Sequence, residues 1–506
     1  MCRRSTSYAA PAHGLRRCLT IAAMHPESQS HNKRSLSARG PGVERQAPLN
    51  WPVTNPLEWR PVTPYDGAMA VPIPALLEDE PTIAALIAAR PFLSMHALDG
   101  LVLEQVPLTR IAEVLGTPAW VYSAGAMRAR LAELTAALAG LAHVHYAVKA
   151  NDHLAVLHLM AEGGAGADVV SEGELRRARA AGIPANNIVF SGVGKSAREI
   201  RLAIAEDIFQ LNIESAEELE IVSALAVSLG RTTRVALRIN PDVDAGTHAK
   251  ITTGTAANKF GIPYAEAAAV YARAAALPGV EPVGLALHIG SQILSTAPYR
   301  AAFARAAELV RTLRARGLAV HRMDCGGGLG IGYRDEPDAS PVALSGAIRA
   351  AFGGLDLELM VEPGRWLVGP AGVLLAEVVL VKGGRFVVLD AAMNDLMRPA
   401  MYDAWHGVVP LTGGNAVGVS TPVDVVGPIC ESSDTFARAR KMPLPSAGAR
   451  VALLDAGAYG AVMSSTYNAR PLAPIAWVDG DRWAVIRDRQ LHADLWAGER
   501  LADFMT

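Results

Sequence analysis

Cysteine is scarce. Four thiols, Cys2, Cys18, Cys325 and Cys430, are spread over 506 residues with no Cys-x-x-Cys pair, which argues against a disulfide framework or a zinc site and suits a reducing cytoplasm. No metal site is expected. No run of about 18 uninterrupted apolar residues occurs, so no membrane span is expected either. An excess of one charge is also missing. The formal net charge is -2, and nothing favours nucleic acid or an anionic membrane as a partner.

What is present suffices for a large core. Hydrophobic residues make up 51% of the chain, and its length predicts two folded units with additions. Residues 1–94 stand apart. They are rich in Arg, Ser, Pro and His, as in the series Pro52, Pro56, Pro61 and Pro64, and such composition predicts a disordered extension. The apolar part of Leu15 to Met24 is short and broken by Arg16 and Arg17, unlike a signal peptide. Ala84 to Ala89 reads as one or two helical turns. Ordered patterning opens at Met95.

Beyond that point, short β-rich runs alternate with amphipathic helical segments. Residues 95–124 read as leading strands that join a later β-domain, with Leu101–Glu104 and Ala119–Ser123 flanking a helix from Thr109. A helix is expected over roughly 125–140. Then come runs around Val144–Val148, Gly166–Val170, Ile188–Phe190, Ile208–Asn212, Val235–Ile239, Leu285–Ile289, His321–Asp324 and Leu357–Val361. About eight βα units over about 240 residues have the size and rhythm of an α/β (β/α)8 TIM-like barrel. A doubly wound sheet alternates in the same way. The C-terminal ends of the runs favour the barrel, because barrel enzymes place their chemistry there. Those ends read Lys149, Ser171-Glu172, Ser191-Gly192, Asn240-Pro241-Asp242, His288-Ile289-Gly290-Ser291, Cys325-Gly326-Gly327-Gly328 and Glu362-Pro363-Gly364-Arg365.

Each of these has an ordinary alternative. Lys149 could simply carry its charge to solvent, or be a desolvated amine ready to attack a carbonyl carbon. The glycines at 326–328 could be a flexible turn, or a nest of backbone N–H groups for phosphate. They are not a dinucleotide fingerprint, since no first βα turn and acidic partner accompany them. His288 could be a satisfied core imidazole, and Glu362 a loop carboxylate. Facing a pyridine ring, Glu362 would keep the ring nitrogen protonated.

After Arg365 the pattern is β-rich without long helices, which predicts a β-sandwich or barrel-like domain over 369–506, after a barrel over 125–368. Within it Arg398 and Tyr402 share a face if helical. Cys430 and Glu431 occupy a polar turn, and Tyr459 sits among small residues.

In order along the chain, Tyr146-Ala147-Val148-Lys149-Ala150-Asn151, Ser171-Glu172-Gly173-Glu174-Leu175, Lys259-Phe260-Gly261, His288-Ile289-Gly290-Ser291-Gln292, Cys325-Gly326-Gly327-Gly328, Glu362-Pro363-Gly364-Arg365, Met393 to Tyr402, Cys430-Glu431-Ser432 and Tyr459 resemble the fold-type III pyridoxal-phosphate decarboxylases, and among them the diaminopimelate decarboxylases. The resemblance runs from about Met95 to the C-terminus. It implies pyridoxal 5'-phosphate as cofactor, bonded to Lys149, with His288 stacked on the ring and Glu362 on the ring nitrogen. It implies that Ser291, Gly326, Gly327, Gly328 and Tyr459 hold the phosphate, in a cofactor site that Pro363, Gly364 and Arg365 complete. Arg365, Arg398, Tyr402, Glu431 and Tyr459 would bind an amino-acid substrate. Cys430 would donate a proton across the interface of a homodimer with shared active sites.

Decarboxylation of meso-2,6-diaminopimelate to L-lysine and CO2 is the implied activity. A distal carboxylate suits the cations Arg365 and Arg398, and a distal ammonium suits Glu431; ornithine has no such carboxylate. A sibling decarboxylase of ornithine, arginine, carboxynorspermidine or a D-amino acid is the nearest rival. A non-catalytic cofactor-binding regulator is the remote one, and a racemase would need a second base where Cys430 and Glu431 stand. The leader and the wording of Leu472–Trp477 depart from the family pattern.

Overall fold

A computed structural model describes residues 80–245, 253–254, 259–412 and 420–505. The expectations for residues 1–79 lie outside the described residues. Eight parallel strands, β1 (His143–Ala147), β2 (Gly166–Val169), β3 (Ile188–Phe190), β4 (Gln210–Ile213), β5 (Thr233–Asn240), β6 (Val280–Ala286), β7 (Arg322–Asp324) and β8 (Glu358–Val361), pair in chain order. Met360 and Val361 of β8 lie opposite His143 and Val144 of β1. That pairing closes the barrel and excludes the doubly wound sheet, which would leave two edges. The largest shift from expectation is at β6, which ends at Ala286, so His288 rides on the following loop.

Three of the helices around the barrel start where a Ser-x-x-Glu pattern follows a strand. Ser171, Ser196 and Ser215 each accept a hydrogen bond from the backbone N–H of the glutamate three residues on, at 3.2–3.3 Å. Such caps stabilise a helix by about 1 kcal/mol each. Glu172 bonds Arg176 and Arg198. Ser171 and Glu172, placed at the barrel mouth by the sequence, are therefore engaged in starting a helix.

The second layer is a mixed nine-stranded sheet built on Gly372–Lys382, which pairs antiparallel with Phe386–Leu389, Arg450–Leu453 and Ala119–Ser123. The last of these is the one leading strand that enters the sheet. Leu93–His96, Gly100–Leu103 and Val106–Pro107 form their own three-stranded sheet, which corrects the expectation that Leu101–Glu104 would join the larger one. The period-two alternation of a strand explains the layering. Trp120, Tyr122, Leu374 and Ala376 face the barrel core. Val121, Val373 and Leu375 face a second core with Leu101, Leu103, Leu108 and Ile111.

Disorder through residue 94 is also corrected for its described part. Thr82 caps the helix Ile83–Ala88, and Leu86 and Leu93 are buried in the second core. Arg90 is only 5% exposed, bonded to both carboxylate oxygens of Asp455. A paired arginine can enter a core that its composition alone would forbid.

Candidate active site

β1 stops at Ala147, and a single 3-10 turn, Val148–Ala150, carries Lys149 over the barrel mouth. The amine donates to Asp168 on β2. Its side chain is 30% exposed while that of Asp168 is fully buried. Burial disfavours the ammonium, but Asp168, with Glu362 and Tyr459 beyond it, more than offsets this and raises the lysine pKa. Lys149 opens on a cavity of about 190 Å³ shared with Asp168, Ser191, Asn212, Arg238, His288 and Glu362. Lys149, His288 and Glu362 are thus brought together from three separate strand ends.

A buried polar network lies beside this cavity, which the sequence did not announce. Asn212 donates to Ser191 at 3.1 Å and to Asp324 at 3.0 Å, and Gln210 donates to Asn212 at 2.9 Å. Burial, then the charges of Asp168 and Asp324, push the Glu362 carboxyl well up, and burial also raises Asp324. Three buried carboxyl groups, Asp168, Asp324 and Glu362, thus lie close to one lysine. Burial, with Arg238 and Lys149 nearby, pushes the His288 imidazole well down, so it is neutral. Its Nδ1 lies 3.9 Å from Glu362 and accepts the Gly327 N–H at 3.3 Å, so no ion pair forms.

The glycine loop is less bare than expected. The Gly326 N–H already donates to Asp324 at 2.9 Å, and that of Gly327 to His288. What demands glycine is close approach: a Cβ on Gly326 would lie 2.1 Å from the Leu287 carbonyl oxygen, at a φ of +72°. Pro363 accepts from the Ala147 N–H at 3.0 Å, and a Cβ on Gly364 would meet Ala150 Cβ at 2.9 Å. These two therefore serve the seating of the lysine turn.

A second cluster adjoins through Arg365, which is buried and donates to Ser291 Oγ at 3.0 Å and to the Tyr333 hydroxyl at 2.7 Å. Its guanidinium stacks 4.7 Å from the Tyr459 ring. Tyr459 comes from the β-domain, and its N–H donates to the Ala150 carbonyl at 2.8 Å, next to Lys149. Arg398 opens the helix Arg398–Tyr402, which meets the condition for the two to share a face, and is buried with its Nη1 on His406 Nε2 at 2.7 Å. Burial, with repulsion from Arg365 opposing help from Tyr333, brings its pKa down to about 10. Among the described residues no carboxylate forms an ion pair with Arg365 or Arg398, and the buried Arg365 Nε has no hydrogen-bond partner.

Cys430 and Glu431 lie elsewhere, on an exposed turn where Tyr467 donates to Glu431 at 2.7 Å. They do not line the Lys149 cavity. The sequence reading missed Asp168, Asn212, Asp324, Tyr333 and His406. A charged residue inside the apolar run Gly166–Val169 was the available signal for the first. No local pattern marks the last two.

A closed barrel with a lysine at its mouth, neutral imidazole, buried carboxylates and a β-domain loop defines a pyridoxal-dependent enzyme, and residues 124–369 match the family model "Pyridoxal-dependent decarboxylase, pyridoxal binding domain". The diaminopimelate decarboxylase of Zymomonas mobilis is 45% identical over 414 residues, 80% of this chain and 98% of that protein. That of Pseudomonas aeruginosa is 46% identical over 402 residues, 79% and 96%. The crystal structure of diaminopimelate decarboxylase from Helicobacter pylori complexed with L-lysine superimposes with a TM-score of 0.75 at 39% identity, covering 77% of this chain and 98% of that one. The chain belongs to the diaminopimelate decarboxylase family.

Proposed function

We propose that this protein removes one carboxylate of meso-2,6-diaminopimelate, yielding L-lysine and CO2. Its residues fit the cofactor of its class. A lysine faces the cavity, and the excess of buried carboxylate over lysine suits a cationic ring nitrogen. Lys149 would hold the carbonyl carbon, Glu362 the ring nitrogen and neutral His288 a ring face. Ser291, Tyr459 and the 326–328 loop would hold the phosphate. When bound, pyridoxal 5'-phosphate supplies the electron sink for the carbanion left by CO2.

The observation that carries the substrate assignment is the pair of buried arginines, Arg365 and Arg398, without a carboxylate partner among the described residues. Buried cations left unpaired are costly, and a carboxylate at the far end of the substrate offsets that cost. Tyr402 and Tyr459 flank the same end. Lys149 donates a hydrogen bond to Asp168, and its ammonium must lose a proton before the amine can react.

We also propose a homodimer in which Cys430 and Glu431 of one chain serve the Lys149 site of the other. Cys430 would give its proton to the α-carbon, and Glu431 would receive the distal ammonium. The cytoplasm suits the free Cys325 and Cys430; among the described residues no helix is long and apolar enough to cross a membrane.

The test is CO2 release with product identification from meso-diaminopimelate, L-ornithine, L-arginine and L-lysine, each supplied alone. Product from diaminopimelate alone is expected; CO2 from another substrate instead would overturn the substrate assignment. Arg398→Ala should lower kcat/KM for diaminopimelate on the order of 10²-fold, the scale of losing a forked pair of charge-assisted hydrogen bonds. An intact preference for diaminopimelate in that variant would sink the clamp. For the shared site, mixing inactive Lys149→Ala and Cys430→Ala chains should restore about a quarter of wild-type activity through hybrid dimers. No restoration in subunits shown to exchange would place Cys430 outside the partner's site.

A further inference from the structure

Tyr333 and His406 have no part in the chemistry above, yet both touch the arginine pair. The phenol of Tyr333 engages both cations. Its hydroxyl accepts from Arg365 Nη1 at 2.7 Å, and the Arg398 guanidinium lies 4.5 Å from its ring centroid. His406 stands edge-on to the same ring at 5.4 Å and accepts from Arg398 Nη1 through Nε2. Its Nδ1 faces the Leu454 carbonyl oxygen at 2.7 Å. That contact requires the proton on Nδ1 and leaves the Nε2 lone pair for Arg398.

Both residues are anchored to one buried strut. The Tyr333 carbonyl accepts from Arg90 Nη2 at 2.9 Å. Arg90 in turn is bonded to Asp455, the residue after Leu454. The circuit therefore runs from Arg365 through Tyr333, Arg90 and Asp455 to Leu454, His406 and Arg398. It holds two like charges beside each other, Arg365 tied through Nη1 to Tyr333 and through Nη2 to Ser291, and Arg398 through Nη1 to His406. The buried Nε of Arg365 has no hydrogen-bond partner among the described residues.

We propose that Tyr333 and His406 are positioning residues that fix the two guanidinium groups for a carboxylate ligand and so set specificity at the far end of the substrate. The proposal rests on the reading of Arg365 and Arg398 as the distal-carboxylate clamp. A planar fork misaligned by a rotamer loses one of its two parallel hydrogen bonds. A ligand without the carboxylate loses nothing.

The test compares L-lysine with 1,5-diaminopentane, the same carbon chain without the carboxylate, as inhibitors of the cofactor-loaded enzyme, alongside kcat and KM for meso-diaminopimelate. Tyr333→Phe and His406→Phe should each weaken L-lysine and raise KM about tenfold, the scale of one charge-assisted hydrogen bond. The affinity for 1,5-diaminopentane and kcat should hold steady. His406→Gln, whose amide oxygen can replace Nε2 as acceptor, should recover most of the L-lysine affinity. Unchanged L-lysine binding in Tyr333→Phe and His406→Phe, or equal weakening of both ligands, would overturn the proposal. Arg398→Ala separates the two readings. If it too leaves the L-lysine preference intact, the clamp itself falls; if it abolishes the preference while the positioning variants do not, only the positioning role falls.

Discussion

Lys149→Ala is expected to lower turnover of meso-diaminopimelate on the order of 10⁴-fold or more, the scale of losing a catalytic nucleophile. The backbone should tolerate the change. Lys149 sits in one 3-10 turn between buried Val148 and Ala150, and that turn is held by the Tyr459 N–H and the Pro363 carbonyl rather than by the lysine side chain. What the variant removes besides the amine is the cation beside Asp168, in a region that already holds Glu362 and Asp324. Lys149→Arg separates these two losses. It restores a positive charge for Asp168 but cannot bond to the cofactor, so it should regain stability and not activity. Steady-state kinetics would be read beside mass spectrometry after borohydride reduction, which should add the cofactor's mass to the wild-type chain and to neither variant. Residual activity within tenfold of wild type would remove Lys149 from its role.

The second large effect lies far from the chemistry in sequence. Arg90→Ala should cost about 3–5 kcal/mol of folding stability, because it strands the buried Asp455 carboxylate. The same arginine also donates to the Leu86 and Tyr333 carbonyl oxygens, so the variant unties two chain segments as well. A chain begun at Met95 should fare worse, since it also sheds Leu86 and Leu93 from the second core. Urea unfolding of Arg90→Ala and of the double variant Arg90→Ala/Asp455→Asn makes the comparison. Removing the stranded charge should return part of the loss. If Arg90→Ala unfolds at the wild-type midpoint, the strut carries no load.

The barrel was readable because its strands are short apolar runs of the right length, and turn or capping residues bound them. Ile188–Phe190 falls where expected, and so does Ala119–Ser123. Lys149, His288 and Glu362 were found because they interrupt apolar texture at strand ends. Asp168, Asn212 and Asp324 escaped for a physical reason. They point into the barrel from within strands, where a reader expects hydrophobic filling, and only closure of the sheet brings them together. Arg90 escaped because it falls within the leader whose overall composition predicts disorder, while its partner Asp455 lies 365 positions away. Tyr333 and His406 are single residues without local periodicity. Their meaning exists only once Arg365 and Arg398 are in place.

Ala119–Ser123 pairs with Gly372–Lys382 on one side and Ile475–Asp479 on the other. A central strand of the C-terminal sheet is therefore made before the barrel and must wait for its partners while roughly 250 further residues are synthesised, some tens of seconds at ribosomal speed. During that interval Trp120 and Tyr122 have no sheet to shield them, and both hydrogen-bonding edges are open. The barrel, in effect, is an insertion within the β-domain. A fragment cut at the apparent boundary near Arg365 would lose the middle of its sheet, so neither half should be recovered as a soluble piece on its own.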